Sequence, residues 1–222
     1  MPPPAIAGLY PYTRGGVTQL PKFTLAEIPA SLAINPGYRD DLLVLAGDDG
    51  SARQLEGFGL RVHRVFDDAP LEIHRDSAHK MKHWMCRWAL KEFGEFLWLD
   101  WDTVQLKRPD EAFWKWCRAH GTPKFIHIQN YWAVVNCGVY YANAQWAGAM
   151  DRSFCERVSK PNDELLWASV LPGDIQDRSE FWWGSRVAHI WTRDDFAKLG
   201  PDTCFAHVKK LDWAGDIRAY VK

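Results

Sequence analysis

The most constraining stretch of the chain is Glu95–Leu99 (EFLWL), an apolar run that passes without a break into Asp100-Trp101-Asp102. A strand with almost no polar alternation needs cover on both faces, which a half-solvated sheet does not give it. Asp41–Ala46 (DLLVLA) has the same character. Around these two runs, segments of helical period alternate with segments of strand length. That alternation predicts an α/β fold: a mixed, mainly parallel sheet flanked by helices on both faces.

In chain order, Ala5–Tyr10 reads as a strand, followed by a turn at Thr13-Arg14-Gly15-Gly16. Leu20–Ile34 reads as a helix interrupted at Pro29 and stopped by Asn35-Pro36-Gly37. Gly47-Asp48-Asp49-Gly50 closes the second strand, before a short helix and a strand near Leu60–Phe66. Lys80–Phe93 places Met81, Trp84, Met85, Trp88 and Ala89 at helical spacing and ends at Gly94. Glu111–His120 reads as a helix, Phe125–Ile128 as a strand, and Ala133–Tyr141 as a strand broken at Cys137-Gly138. The remainder, to Lys222, is expected to be helix and loop. No repeat or low-complexity linker divides the 222 residues, a length that suits one domain.

Composition narrows the class. With 27 basic against 28 acidic residues there is no electrostatic case for nucleic-acid binding. No apolar run has the length of a transmembrane span, and Met1-Pro2-Pro3-Pro4 lacks the regions of a signal peptide. Five cysteines (Cys86, Cys117, Cys137, Cys155, Cys204) form no CxxC pair, which fits reduced thiols. A cytoplasmic protein is expected, with peripheral attachment to a membrane compatible with the same features. The 13 tryptophans are mostly core material, with a minority available to cover sugar rings.

In an open α/β sheet, ligands sit beyond the carboxyl ends of the strands. Asp100 and Asp102 occupy such an end, and side chains two apart on an extended segment point the same way. Two carboxylates so placed suit Mn²⁺ or Mg²⁺ shared with a diphosphate, where the ion stabilises a departing phosphate group. An Asp-x-Asp triplet alone is a weak signal; at the end of a buried strand it is a stronger one, set against a solvated loop that merely follows a strand.

Several segments, in order, resemble glycogenin and its relatives, the retaining glycosyltransferases of the GT-A fold. They are Leu9–Gly16 (LYPYTRGG), Leu42–Ala46, Lys80–Trp84 (KMKHW), Phe96–Val104 (FLWLDWDTV), Asn136-Cys137-Gly138-Val139, Asp163-Glu164-Leu165-Leu166 and Phe205-Ala206-His207. The resemblance implies a single-domain, Rossmann-like GT-A fold, with a nucleotide-binding part at about 1–104 and a sugar and acceptor part at about 105–222. It implies a nucleotide-sugar donor, a UDP-sugar, and a glycan, lipid-linked or small-molecule acceptor.

It also implies roles. Asp100, Asp102 and His207 would hold the metal. Tyr10, Tyr12, Arg14, Asp48, Lys80, Trp101, Lys209 and Lys210 would meet the nucleotide and its phosphates. Asn136, Asp163 and Glu164 would act on the sugar side. The chain departs from the family pattern at Glu164, where a Gln is usual, and after His207, where Val208–Trp213 lacks the usual Gly and Pro. Bland alternatives stand beside these roles: Tyr12 as packing, Asp48 as a turn acid, Lys82 in place of Lys80, and Asp163 and Glu164 as helix-start acids. Gln129, Asn130 and Trp132 are candidates for the acceptor side. Two other classes compete, a haloacid-dehalogenase-type phosphohydrolase and a non-catalytic carbohydrate- or nucleotide-binding module.

Overall fold

The structure, a computed structural model, describes residues 2–14, 17–67, 78–119, 124–127, 135–155, 167 and 186–221. Strand β1 (Ala5–Leu9) leads into a short hairpin of β2 (Tyr12–Arg14) and β3 (Val17–Gln19), paired Tyr12↔Gln19 to Arg14↔Val17. Helix α1 (Lys22–Ile34) and the single turn α2 (Tyr38–Asp41) precede β4 (Leu42–Ala46). Then come α3 (Asp49–Gly57), β5 (Val62–Arg64), α4 (Ala78–Phe93), β6 (Glu95–Leu99) and β7 (Thr103–Gln105). The described chain continues through α5 (Glu111–Arg118), β8 (Lys124–His127), β9 (Val135–Asn143), α6 (Ala147–Cys155), β10 (Val187–Ile190), β11 (Phe205–Val208) and α7 (Ala214–Val221).

Six strands form the main sheet in the order β5-β4-β1-β6-β9-β8. The first four run parallel to one another, and β9 is antiparallel to both of its neighbours, β6 and β8. Alternate residues of the strands feed two separate cores, which is why their sequences show no polar face. Ala7, Leu9, Val44, Leu97 and Leu99 pack with Ile28 and Leu32 of α1, Leu55 of α3 and Phe113 of α5. Ile6, Leu45, Phe96 and Trp98 pack on the other side with Met81, Met85 and Ala89 of α4 and Met150 of α6. At 2.8 Å from Met85 Sδ and 3.0 Å from Trp98, a Cβ on Gly8 would collide with this second core.

Three expectations need correction. Pro29 lies inside a continuous α1; it is exposed, so water can satisfy the one carbonyl left without its helical partner. Cys137-Gly138 does not break β9. The irregularity falls in the pairing, where the register with β8 jumps from Phe125↔Tyr140 to Ile126↔Asn136. The last part of the chain is not only helix and loop: β10 and β11 run parallel to each other, and β11 pairs antiparallel with β7 in a second, three-stranded sheet. Its strands, VAHI and FAHV, are too short for a periodic signal to be legible.

This second sheet also divides its residues by parity. Ala188, Ile190, Ala206 and Val208 turn to a third core with Phe196, Leu199 and Ile217. The intervening positions, His189 and His207, lie on the opposite face and pair in register. Tight pairing with β7, including Val208 N–H to Asp102 O at 2.9 Å, carries His207 to the end of β6.

Candidate metal centre

The site is built where β6 emerges from the sheet. Asp100 N–H donates to the Gly138 carbonyl at 2.7 Å, and Thr103 N–H closes a turn on the Asp100 carbonyl at 3.1 Å. This turn sends both aspartates toward one point. Asp100, Asp102 and His207 each offer a ligand atom, and these atoms lie within 4.8 Å of one another. Beside them is a cavity of about 180 Å³, lined by Tyr10, Thr24, Glu27, Trp98, Asp100, Trp101 and Asp102.

Each aspartate has its own cation. Asp100 Oδ1 accepts from Lys82 Nζ at 3.0 Å and from Trp98 Nε1 at 2.6 Å. Lys82, almost fully buried, also donates to the Cys137 carbonyl at 2.9 Å and lies 5.0 Å from the Trp98 ring centre. Asp102 Oδ1 faces His207 Nε2 at 3.0 Å. Burial works against charge on Asp102, but the His207 and Lys82 charges outweigh it and hold the carboxyl below its ordinary range. Burial likewise opposes charge on His207, and Asp102, with help from Asp100, overcomes it and raises the imidazole.

Two observations bear on whether a cation fits. Although His207 is close, its geometry is poor for a hydrogen bond, so Asp102 Oδ1 is a buried oxygen with no hydrogen-bond donor. Gly138 has no side chain because there is no room for one: a Cβ there would lie 2.3 Å from His207 Nε2. Two carboxylate oxygens and an imidazole nitrogen, with one buried lone pair unsatisfied, are a donor set suited to Mn²⁺ and acceptable to Mg²⁺.

Lys82 is the structural partner of this arrangement. Lys82→Met is expected to destabilise the fold by about 2–3 kcal/mol, less than for a fully buried pair because Asp100 is partly open to solvent. Urea unfolding measures it, and a loss under about 0.5 kcal/mol, the scale of surface changes, would contradict this role.

The sequence did not mark Glu27. A lone acid on an ordinary helix usually faces water, whereas Glu27 lines the cavity from α1. Burial, and then the Asp102 and Asp100 charges, push its carboxyl up to about 8, with His207 and Lys209 pulling the other way. An acid whose folded value is raised loses relative stability as pH climbs from its unfolded value to its folded one, because the unfolded chain sheds the proton first. Glu27→Gln is therefore expected to raise the midpoint of thermal unfolding at neutral pH, by a margin that grows with pH up to about 8 and vanishes in acid. Equal midpoints for the two proteins at neutral pH would reject this.

The other expected residues distribute as follows. Tyr10 borders the cavity at the end of β1. Tyr12 and Arg14 lie on β2. Asp48 caps α3, accepting from Ser51 N–H at 2.6 Å. Trp101 is buried, its indole N–H spent on the Gly8 carbonyl at 2.9 Å. Lys80 is buried on α4, two positions before Lys82. Asn136 accepts from Gly138 N–H at 2.9 Å, bracing the segment under His207. Lys209 Nζ lies over the Trp191 ring at 4.6 Å and its charge reaches Glu27, whereas Lys210 turns to Trp213 at 5.5 Å. Asp163 and Glu164 lie outside the described residues, as do Gln129, Asn130 and Trp132.

No protein-family model matches the chain, and no curated protein sequence matches it. Solved structures do match. A glycosyltransferase involved in the glycosylation of the major capsid of PBCV-1 aligns over 98% of this chain and 98% of its own, with a TM-score of 0.54 and 14% identity. The fold is GT-A-like. An active-site mutant of LgtC aligns over 97% of this chain and 95% of its own, with a TM-score of 0.46 and 12% identity. In the GT-A-like frame, β6 ends at the carboxyl edge of the parallel strands, the edge at which open α/β sheets take their ligands. At such identities the likeness is one of architecture, and the chemistry rests on the side chains in place.

Proposed function

We propose that this chain is a metal-dependent glycosyltransferase that moves a sugar from a nucleotide-diphosphate donor, a UDP-sugar, to an acceptor hydroxyl with retention at the anomeric carbon. The observation that carries the reading is the gathering of Asp100, Asp102 and His207 at the end of β6, beside a cavity, in a GT-A-like fold. Retention, and the choice of UDP, follow from the ordered glycogenin-like segments.

When bound by these three residues, Mn²⁺ or Mg²⁺ supplies Lewis-acid stabilisation of the departing diphosphate. The chain's own residues do the rest. Lys82 holds Asp100 in place from below. Lys209, following His207 on the same strand end, adds a positive charge for the diphosphate; its charge already reaches Glu27 in the cavity wall. Tyr10 and the Tyr12–Arg14 strand take the nucleotide at the end of β1. Asp48, Lys80, Trp101 and Lys210 complete the donor side as proposed contacts. Asn136, Asp163 and Glu164 are assigned to the sugar. The acceptor is a glycan, a lipid-linked sugar or a small molecule.

Among the described residues no helix is long and apolar enough to cross a membrane. The cysteines described as free, Cys86, Cys117, Cys137 and Cys204, are all buried. We place the protein in the cytoplasm on that cysteine usage, with peripheral membrane contact compatible.

Calorimetry with UDP in the presence of Mn²⁺ and of chelator tests the reading. Metal is expected to tighten UDP binding at least tenfold, about 1.4 kcal/mol. A screen of nucleotide sugars for metal-dependent donor hydrolysis then names base and sugar together. Release of phosphate from simple phosphate esters would replace the reading with a phosphohydrolase. Binding of free sugar, indifferent to nucleotide, would replace it with a carbohydrate-binding module.

A further inference from the structure

We propose that His189 is a positioning residue for the metal site: its Nδ1 accepts the Nδ1 proton of His207 and so leaves His207 Nε2 bare toward the ion. The proposal rests on the metal reading above. His189 and His207 are register partners on the parallel strands β10 and β11. Their rings stand 4.9 Å apart and tilted by 43°, and the two Nδ1 atoms approach to 2.9 Å. Two imidazole nitrogens at that distance share one proton, so one ring donates and the other accepts.

The surroundings decide which ring donates. His207 Nε2 is the atom aimed at Asp102 Oδ1, the buried oxygen that lacks a hydrogen-bond donor. A nitrogen that ligates a metal carries no proton, so a His207 bound through Nε2 keeps its proton on Nδ1 and must donate it. His189 Nδ1 is then the acceptor, with the His189 proton on Nε2. A metal-ligating histidine is ordinarily fixed in this way by a carbonyl or carboxylate; here a second histidine has the acceptor's place.

His189 is held in that place by its strand register and by its neighbours. On its outer side the Trp191 ring lies 5.7 Å away, a contact that limits rotation of the His189 ring. His207 is held between this partner and Gly138, whose missing Cβ leaves the space that the imidazole edge fills.

The test compares Mn²⁺ affinity, by calorimetry on the full chain, for wild type, His189→Leu, His189→Asn and Asp102→Asn. Leu removes the acceptor while keeping bulk; Asn restores an acceptor oxygen close to the Nδ1 position. The expected result is a loss of about 10–100-fold for His189→Leu, the range for partners that orient a metal ligand, with most of it recovered in His189→Asn. Long-range ¹H–¹⁵N spectra of the Mg²⁺-loaded wild type are expected to show the proton on His207 Nδ1 and on His189 Nε2.

If His189→Leu and His189→Asn both bind Mn²⁺ as wild type does while Asp102→Asn does not, the metal reading stands and the positioning role is wrong. If wild type binds no Mn²⁺, or Asp102→Asn binds it equally well, the metal reading itself fails and takes this proposal with it. Should His189→Leu fail to fold, the Asn variant and the wild-type spectra still decide: a proton found on His189 Nδ1 overturns the assignment.

Discussion

Asp102→Asn is expected to abolish the gain in UDP affinity that Mn²⁺ confers, while leaving the fold intact. Asn has the same shape and can occupy the same turn, so Trp101, Thr103 and the β7–β11 pairing need not move. It lacks the charge, and it replaces one of only three ligand-bearing residues gathered among the described residues. Partners that merely orient a ligand are worth about 10–100-fold in metal affinity, so loss of a ligand itself should exceed about 100-fold. UDP titrations with Mn²⁺ and with chelator should then coincide for the variant, with circular dichroism confirming a native fold. A variant that keeps the metal-dependent gain would place the ion elsewhere.

Gly138→Ala is expected to do comparable damage by adding a single methyl group. Its φ is not in the left-handed region, so the glycine is there for space and not for backbone freedom. The new Cβ would meet His207 at 2.3 Å from Nε2, 2.4 Å from Cε1 and 2.7 Å from Cδ2. Either the imidazole leaves the site or β9 moves away, and β9 cannot move without disturbing the Asp100 N–H bond to the Gly138 carbonyl. Overpacking of this kind costs about 1–3 kcal/mol. Mn²⁺ affinity is expected to fall as far as in a His207→Ala protein measured beside it. Gly215→Ala is the control: it lies in α7 with nothing within 4 Å of the added Cβ, and should be neutral or slightly stabilising. Normal metal binding by Gly138→Ala would show that His207 is not a ligand.

The main sheet and the aspartate turn were legible because burial on two faces leaves a mark that few other structures share. β6 was read with the bounds it has, and the helix ending at Gly94, whose φ is +76°, stops where the sequence says it must. The illegible part is the second sheet. Two strands of four residues carry one or two turns of alternation at most, and their role depends on the pairing of β11 with β7, far away in sequence. Phe205-Ala206-His207 was found by resemblance, but nothing local in Val187–Ile190 marked His189 as its neighbour. Glu27 was missed for a different reason: only tertiary packing turns that position of α1 toward the aspartates. Lys80 and Lys82 were indistinguishable as spacings on one helix; the bond from Lys82 to Asp100 is what separates them.

The pairing of β11 with β7 has a consequence for how the protein matures. Asp102 and His207 are separated by more than a hundred positions, so a nascent chain presents two acids long before the imidazole arrives. A partly made molecule can offer an ion only weak, two-pronged purchase, and tight capture waits until the late strand has zipped alongside the early one. On the metal reading proposed above, ion uptake would report completed assembly, and a cell starved of the ion would accumulate molecules whose segment from β10 to α7 is more readily peeled away by proteases.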